Sequence, residues 1–332
     1  MIKTLRLLMA CACLTACALL AGCFASQNPT PGASTAPSVT SAATTRAVAP
    51  KFDTARLNEP DPLLKVYDVA REQVVEMPLE EYLLGVLAGE MPGDWPLEAL
   101  KAQAILARTF VYKFVDEKDS MYSGADISTD IKEAQAYSSD GITDSIRRAV
   151  EETQGEILVC DGELPYAWFY AHGGGVTALA GEGLDFKGDE PEYTQVTDSR
   201  DADAGPDDVR SWKCEFTESE VRAAAADAGL NVERVTSVEI GERGPSGRAT
   251  TLLINGQSVS APSFRIAIGS KEMKSTLLDE CEFDGGELEL EGRGYGHGVG
   301  MSQWGARELA AQGWSAEDIV TYYFKGAQIA KL

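Results

Sequence analysis

Met77-Pro78-Leu79-Glu80-Glu81-Tyr82-Leu83-Leu84-Gly85-Val86-Leu87-Ala88-Gly89-Glu90-Met91-Pro92 is the stretch in which the chain changes its period. Upstream, Leu63 to Val75 is alternating and rich in β-branched residues, and the polar residues that follow Asp68 predict a hairpin. From Pro78 onward, Leu79, Leu83, Val86 and Leu87 recur at i, i+4, i+7 and i+8 behind two first-turn acids, which predicts a helix. Pro92 ends it, because proline biases its predecessor away from helical backbone. Glu90 therefore falls at the C-terminal edge of that helix.

Asp94-Trp95-Pro96 signals a second helix over Leu97–Phe114, with Leu97, Leu100, Ala104, Ala107, Val111 and Phe114 as its apolar stripe. Lys101 and Arg108 lie off that stripe. Seven residues apart, they share one face, within about 20° around the axis and roughly 10 Å along it. Two cations are thus expected together on the helix that follows Glu90.

Further out, the pattern predicts a helix over Thr143–Thr153 and strands over Glu156–Cys160 and Pro165–Ala171, joined at Asp161-Gly162. Asp198–Asp208 reads as an acidic surface loop, Thr217–Gly229 as a short helix, and Val235–Ile254 as two strands around Gly244-Pro245-Ser246-Gly247. A strand over Glu287–Glu291 leads into the densest glycine run, and Ser315-Ala316-Glu317-Asp318 starts a last helix in the manner of a capping box, with Gly326 placed to end it. There is no internal repeat. The fold expected is α+β, with helices packed on mostly antiparallel sheets.

The glycine run is Gly292-Arg293-Gly294-Tyr295-Gly296-His297-Gly298-Val299-Gly300-Met301-Ser302-Gln303-Trp304-Gly305-Ala306. Glycine permits close approach or positive φ, and the interspersed aromatic and amide side chains suit sugars or peptides. Its alternating glycines lack the Lys-Ser/Thr pair of a phosphate-binding loop, so nucleotide binding is rejected.

Composition narrows the chemistry. With 29 Lys and Arg against 52 Asp and Glu, the formal charge of -23 repels phosphate backbones and disfavours a nucleic-acid partner. Two histidines, His172 and His297, exclude a site with three imidazole ligands.

Lys3 and Arg6 precede an uncharged apolar run from Leu7 to Leu20, the pattern of an export signal and too short for a comfortable membrane span. Leu20-Ala21-Gly22-Cys23 resembles the lipobox of bacterial lipoproteins, which implies removal of residues 1–22 and acylation of Cys23. The Pro-, Ala-, Ser- and Thr-rich stretch to Pro50 is expected to be a disordered tether reaching on the order of 30 Å, with residues 51–332 as the folded domain. The expected location is extracytoplasmic, lipid-anchored to the cell membrane. Beyond the tether Cys160, Cys214 and Cys281 remain, an odd number that allows at most one internal disulfide beside a free thiol. Their wide spacing, without a CxxC pair, makes a three-thiolate metal site the lesser alternative.

Three segments together carry a family likeness: Pro78 to Pro92, then Leu100-Lys101-Ala102-Gln103-Ala104 through Ala107-Arg108-Thr109, and finally Gly292 to Ala306. In that order they resemble the stage II sporulation protein D (SpoIID/LytB-like) family. The resemblance implies a peptidoglycan lytic transglycosylase that cleaves glycan strands between MurNAc and GlcNAc, leaving 1,6-anhydromuramic ends. In sporulating relatives, the strands have already lost their stem peptides. A glycosidase generally needs two carboxylates. Here the muramic 6-hydroxyl supplies the nucleophile, so one carboxyl can act as acid and then as base.

By motif and position that carboxyl is Glu90. Lys101 and Arg108 are expected to grip the lactyl carboxylate or N-acetyl groups, with a structural ion pair as the other reading. Tyr295, His297 and Gln303 are assigned to the glycan-binding wall or to the support of Glu90. Relatives commonly follow the equivalent of His172 with Ser and Thr, and some bind zinc there through a nearby Cys. This chain has His172-Gly173-Gly174-Gly175, so no metal is assigned and zinc at His172 with Cys160 or Cys214 stays an alternative. The partners implied are peptidoglycan glycan strands, the membrane through the lipid anchor, and a wall amidase. Two further readings compete: a non-catalytic LytB-like modulator of wall amidases, and a thiol hydrolase using Cys160 and His172.

Overall fold

A computed structural model describes residues 49–332; the expected export signal, acylated Cys23 and tether up to residue 48 lie outside the described residues. Strands β1 (Leu63–Asp68) and β2 (Gln73–Pro78) form the expected antiparallel hairpin. Asp68 closes its turn, its Oδ1 accepting the N–H groups of Ala70 at 2.9 Å and Arg71 at 3.1 Å. Helix α1 (Leu79–Glu90) follows directly and buries Leu79, Leu83, Val86 and Leu87 completely. Each such side chain stabilises the fold by roughly 1.5–3 kcal/mol.

Helix α2 (Leu97–Glu117) contains the predicted stripe but is buried nearly all round, including Gln103, Arg108 and Thr109. Its neighbours explain this. Besides α1, it packs against α3 (Asp144–Glu152) and β4 (Glu156–Val159), and on another side against the C-terminal helices. The sequence periodicity shows only the face toward α1, so the Lys101 and Arg108 face is an internal one. Between α2 and α3, the short strand β3 (Ile127–Ser128) adds to β1 in parallel.

Pro165–Ala171 does not pair with β4 as expected. Cys160 and Glu163 form the predicted tight bridge, but Pro165 has no N–H to continue a ladder. Only β5 (Phe169–Tyr170) is extended there. The short helices α4 (Ala180–Leu184) and α5 (Asp207–Arg210) follow. Asp198–Asp208 is the expected acidic surface segment, with Asp198, Asp203, Asp207 and Asp208 exposed, except that Ser199 and Asp201 turn inward and are fully buried.

Strand β6 (Trp212–Thr217) leads into α6 (Glu218–Asp227), started by a Thr217–Glu220 capping box. An antiparallel sheet β7 (Val238–Ile240), β8 (Thr251–Ile254) and β9 (Gln257–Ser260) precedes α7 (Ala261–Ile268). Strands β10 (Leu278–Asp284) and β11 (Glu287–Gly292) complete an antiparallel sheet in the order β10-β11-β6. Strand β12 (Met301–Ser302) pairs in parallel with β5; α8 (Gln303–Ala311) and α9 (Ala316–Tyr323) then pack on α2, and β13 (Gln328–Lys331) pairs antiparallel with β4. Ser315 and Asp318 form the predicted capping box of α9. The fold is α+β with mostly antiparallel sheets.

Among the described residues four hydrophobic clusters hold it together: one around β1, α1 and α2, one within β6 to β11, one between α2, α8 and α9, and a small one of Ala178, Ala180 and Val299. Helix α2 contributes to the first and the third, so it joins Glu90's helix to α8. Among the described residues, no helix is long and apolar enough to cross a membrane.

Candidate active site

Glu90 is the last residue of α1, and Met91 beyond it is extended. Two glycines one turn apart prepare its surroundings. A Cβ on Gly85 would collide with the Tyr137 ring, and one on Gly89 would lie 2.6 Å from the Ala136 carbonyl carbon and the Tyr137 nitrogen. Glycine at both positions lets the Ala136–Tyr137 segment lie flat on α1. The Ser138 N–H donates to the Gly85 carbonyl at 2.9 Å, and the Ala136 N–H donates to Glu90 Oε1 at 2.7 Å.

The other carboxylate oxygen faces α8. Gln303 Nε2 donates to Glu90 Oε2 at 3.4 Å and to Gln103 Oε1 on α2 at 3.5 Å. Gln303 is the first residue of α8, and Ser302 caps that helix by accepting the Gly305 N–H at 3.1 Å. The same hydroxyl donates to Asp201 at 2.5 Å. Asp201 also accepts the N–H groups of Gly173 at 2.5 Å and Gly175 at 3.0 Å and the Ser199 hydroxyl at 2.6 Å. One buried carboxylate thus ties the 172–175 loop to the start of α8 and fixes where Gln303 points.

Burial raises the pKa of Glu90 above the usual carboxylate value, while the Ala136 N–H and the Gln303 amide pull the other way. Its position at a helix C-terminus, where unpaired carbonyls gather, also disfavours the charged form. Among the described residues, none of the ion pairs involves Glu90. Burial without a neighbouring cation outweighs the two donors and moves the carboxyl in the direction a proton donor needs.

Lys101 and Arg108 do not join it. The Arg108 guanidinium is completely buried; Nε and Nη2 donate to the two Glu80 carboxylate oxygens at 2.8 and 2.7 Å, and Nη1 donates to the Glu156 carbonyl at 2.9 Å. Lys101 Nζ pairs with Glu98 at 2.9 Å and Glu152 at 2.5 Å. On a helix, Lys101 and Arg108 are turned about 160° and 140° from Gln103, the residue in contact with Gln303. Of the two readings of these cations, the ion pairs favour the structural one over a grip on substrate: both bind α2 to its neighbours.

The glycine run is also a packing device before it is a wall. Gly294, Gly296, Gly298 and Gly300 all have positive φ, and a Cβ on them would strike the 172–174 backbone, Tyr170, the Arg248 guanidinium and the Trp168 carbonyl respectively. Tyr295 exchanges backbone hydrogen bonds with His172, and Lys274 Nζ lies 5.9 Å from its ring centroid. His297 Nδ1 accepts the Val299 N–H at 3.0 Å, and its ring meets Tyr170 edge-on at 5.6 Å. Burial, together with Arg265 and Arg248, pushes its pKa down to about 3, so it is neutral. These contacts tie His297 to Val299 and to Tyr170 of β5, whereas Gln303 reaches Glu90.

Zinc finds no set of ligands here. His172 Nδ1 accepts the Gly174 N–H at 3.0 Å and its Nε2 bonds the Ala204 carbonyl at 3.0 Å, so both ring nitrogens are engaged. Cys160 packs against the α2–α8–α9 cluster and Cys214 against the sheet cluster, and no group of three metal-ligating side chains occurs among the described residues. Cys160, Cys214 and Cys281 are all free thiols. Burial pushes Cys160 up to about 12, which removes the thiolate that a Cys160–His172 hydrolase would require.

Sequence reasoning missed Ala136, Gln103 and Asp201. Gly85 and Gly89, spaced i,i+4 on the buried helix, were the available sign of a close-lying segment.

Residues 67–160 match the family described as stage II sporulation protein, and residues 187–300 match a domain of unknown function. Stage II sporulation protein D of Bacillus subtilis (strain 168) is 30% identical over 288 residues, covering 81% of this chain and 79% of its own. This chain belongs to the stage II sporulation protein D family. The Bacillus amyloliquefaciens protein of the same name is 31% identical over 290 residues, with 83% and 80% covered. An amidase enhancer of B. subtilis is 27% identical over 292 residues, which span 74% of this chain and 40% of the enhancer. The first matched segment includes Glu90, whereas Gln303 lies beyond both.

Proposed function

We propose that this family member is a peptidoglycan lytic transglycosylase with Glu90 as its acid and base. The observation that carries the reading is the state of that carboxyl, which is held by Ala136 and Gln303, raised in pKa by burial and left without a cation. Glu90 gives its proton to the oxygen bridging muramic C1 to the next sugar, and the C1–O bond breaks. The carboxylate then takes the proton of the muramic 6-hydroxyl as that oxygen bonds to C1. The products are a 1,6-anhydro ring and a free sugar hydroxyl, and no water is used.

Acylation of Cys23 anchors the protein outside the membrane, and the tether brings the domain to the wall. Purified protein incubated with denuded glycan should release 1,6-anhydromuramic ends, detected by mass spectrometry. Glu90→Gln should lower the rate by about 10²–10⁴-fold, the usual worth of a positioned acid. Unchanged cleavage by that variant would refute the assignment.

The likeness to an amidase enhancer supports a second reading, a non-catalytic partner that stimulates a wall amidase. Faster stem-peptide release by an added amidase, with no anhydro ends formed, would select it.

A further inference from the structure

Gln103 is completely buried on α2, yet only half of its amide is used. Its Oε1 accepts Gln303 Nε2 at 3.5 Å, while its own Nε2 has no acceptor among the described residues. A buried donor left unpaired costs about 1–3 kcal/mol. Gln303 shows the converse. Its Nε2 is shared between Gln103 Oε1 and Glu90 Oε2, the latter at 3.4 Å, and among the described residues its Oε1 accepts no hydrogen bond. The Ala136 N–H already occupies Glu90 Oε1 at 2.7 Å, so a proton on Glu90 sits on Oε2, the oxygen that faces Gln303.

As arranged, the Gln303 amide turns one hydrogen toward Glu90 and the other toward Gln103. That suits a carboxylate. It does not suit the neutral acid, whose Oε2–H would meet an N–H. A half-turn of a glutamine amide about its last torsion exchanges nitrogen and oxygen at little steric cost, because that torsion is broad and close to two-fold. When both amides turn, Gln303 Oε1 takes the place of Nε2 between its two neighbours. It then accepts the Glu90 Oε2–H on one lone pair and the Gln103 Nε2–H on the other, and the unpaired donor is used.

We propose that Gln103 and Gln303 form a two-state amide relay that turns with the proton of Glu90, with Gln103 as a positioning residue for the acid–base cycle. This inference rests on the reading of Glu90 as the group that gives up and retakes a proton. Before transfer, the relay offers the acid an acceptor; after transfer, it offers the carboxylate a donor. Both amides stay neutral throughout, so no further charge enters the buried site. Ser302, capping α8 and held by Asp201, fixes the backbone and confines the change to the side chains.

Other ionisable groups around the site leave Glu90 as the one the relay follows. Burial raises Tyr82 of α1 and Tyr137 of the segment lying on it above the ordinary tyrosine value, so both are neutral. Glu133 of that segment accepts the Ser120 hydroxyl at 2.8 Å and the Met121 N–H at 2.5 Å. Asp94 in the connector is exposed, and Arg307 on α8 pairs with Glu308. On α2, Lys101 and Arg108 are held by Glu98, Glu152 and Glu80.

The test is nitrogen-15 NMR of the glutamine side-chain amides in the whole protein without glycan, the two signals being identified by their loss in Gln103→Met and Gln303→Met. As pH rises through the Glu90 midpoint, the Gln103 N–H signal should lose its hydrogen-bonded shift and the Gln303 signal should gain one. Glu90→Gln should abolish both responses, and Glu133→Gln should leave them in place. In Gln303→Met the Gln103 signal should cease to follow pH, because Gln103 reaches Glu90 only through Gln303; an amide with a merely structural role would show no such dependence. A Gln103 signal that ignores pH, that still titrates in Gln303→Met, or that stops titrating in Glu133→Gln overturns the relay. Because nothing is read from cleavage, a wild-type protein that produces no anhydro ends would refute the transglycosylase and leave this result standing.

Discussion

Helix α1 carries a glutamate near each end, and the fold treats the two in opposite ways. Glu80, in the first turn, meets a fully buried arginine through a two-pronged ion pair. Glu90, in the last turn, meets a backbone N–H and a glutamine amide. The difference comes from what each end of α1 meets: Arg108 of α2 for Glu80, and the Ala136 backbone with Gln303 of α8 for Glu90. The first arrangement fixes a negative charge and joins α1 to α2 and β4. The second leaves a proton available. A carboxyl cannot serve both purposes, and placing the cation at one end keeps it from the other.

The sharpest way to break the contrast is to remove the cation. Arg108→Leu leaves Glu80 without its partner and should cost about 3–5 kcal/mol of stability in denaturant unfolding. Replacing Glu80 and Arg108 together by leucine should recover much of that loss, because no unpaired charge then remains. A small loss in the single variant would mean that the pair is not the clamp described.

At the other end, Gln303→Met removes a donor that lowers the Glu90 pKa. The sign follows directly. Without the amide the neutral acid is further favoured, so the alkaline limb of the kcat/KM profile on denuded glycan should move to higher pH. A limb that stays in place or moves down would show that Gln303 does not act on this carboxyl. Lys101→Met is the mildest change. Its partners Glu98 and Glu152 are both about one-third exposed, so unfolding should shift by less than about 1 kcal/mol, with cleavage retained. A large loss of cleavage with stability intact would return Lys101 to the substrate.

Most of the helical framework was legible in the sequence, because local signals set it. Pro92 ends α1, Pro96 precedes α2, and the Ser315–Asp318 box starts α9. Glu90 and Gln303 could be named from their motifs. What could not be read was long-range. The burial of Lys101 and Arg108 depends on helices α3 and α9 and strand β4 arriving on their face of α2. The Asp198–Asp208 segment looked solvated because it is acidic. Asp201 is nevertheless buried, since four donors from three separate segments converge on it. The alternating glycines likewise serve contacts with Trp168 to Gly174 and with Arg248 that no local pattern reveals.

Catalysis by Glu90 depends above all on its protonation, which can be observed directly. Carbon-13 NMR of protein labelled at the glutamate side-chain carboxyls, with the Glu90 signal identified by its disappearance in Glu90→Gln, would give its titration midpoint. The structure predicts a midpoint above the ordinary glutamate value of about 4.3. A midpoint at or below that value would show a carboxylate already ionised where the reaction requires an acid.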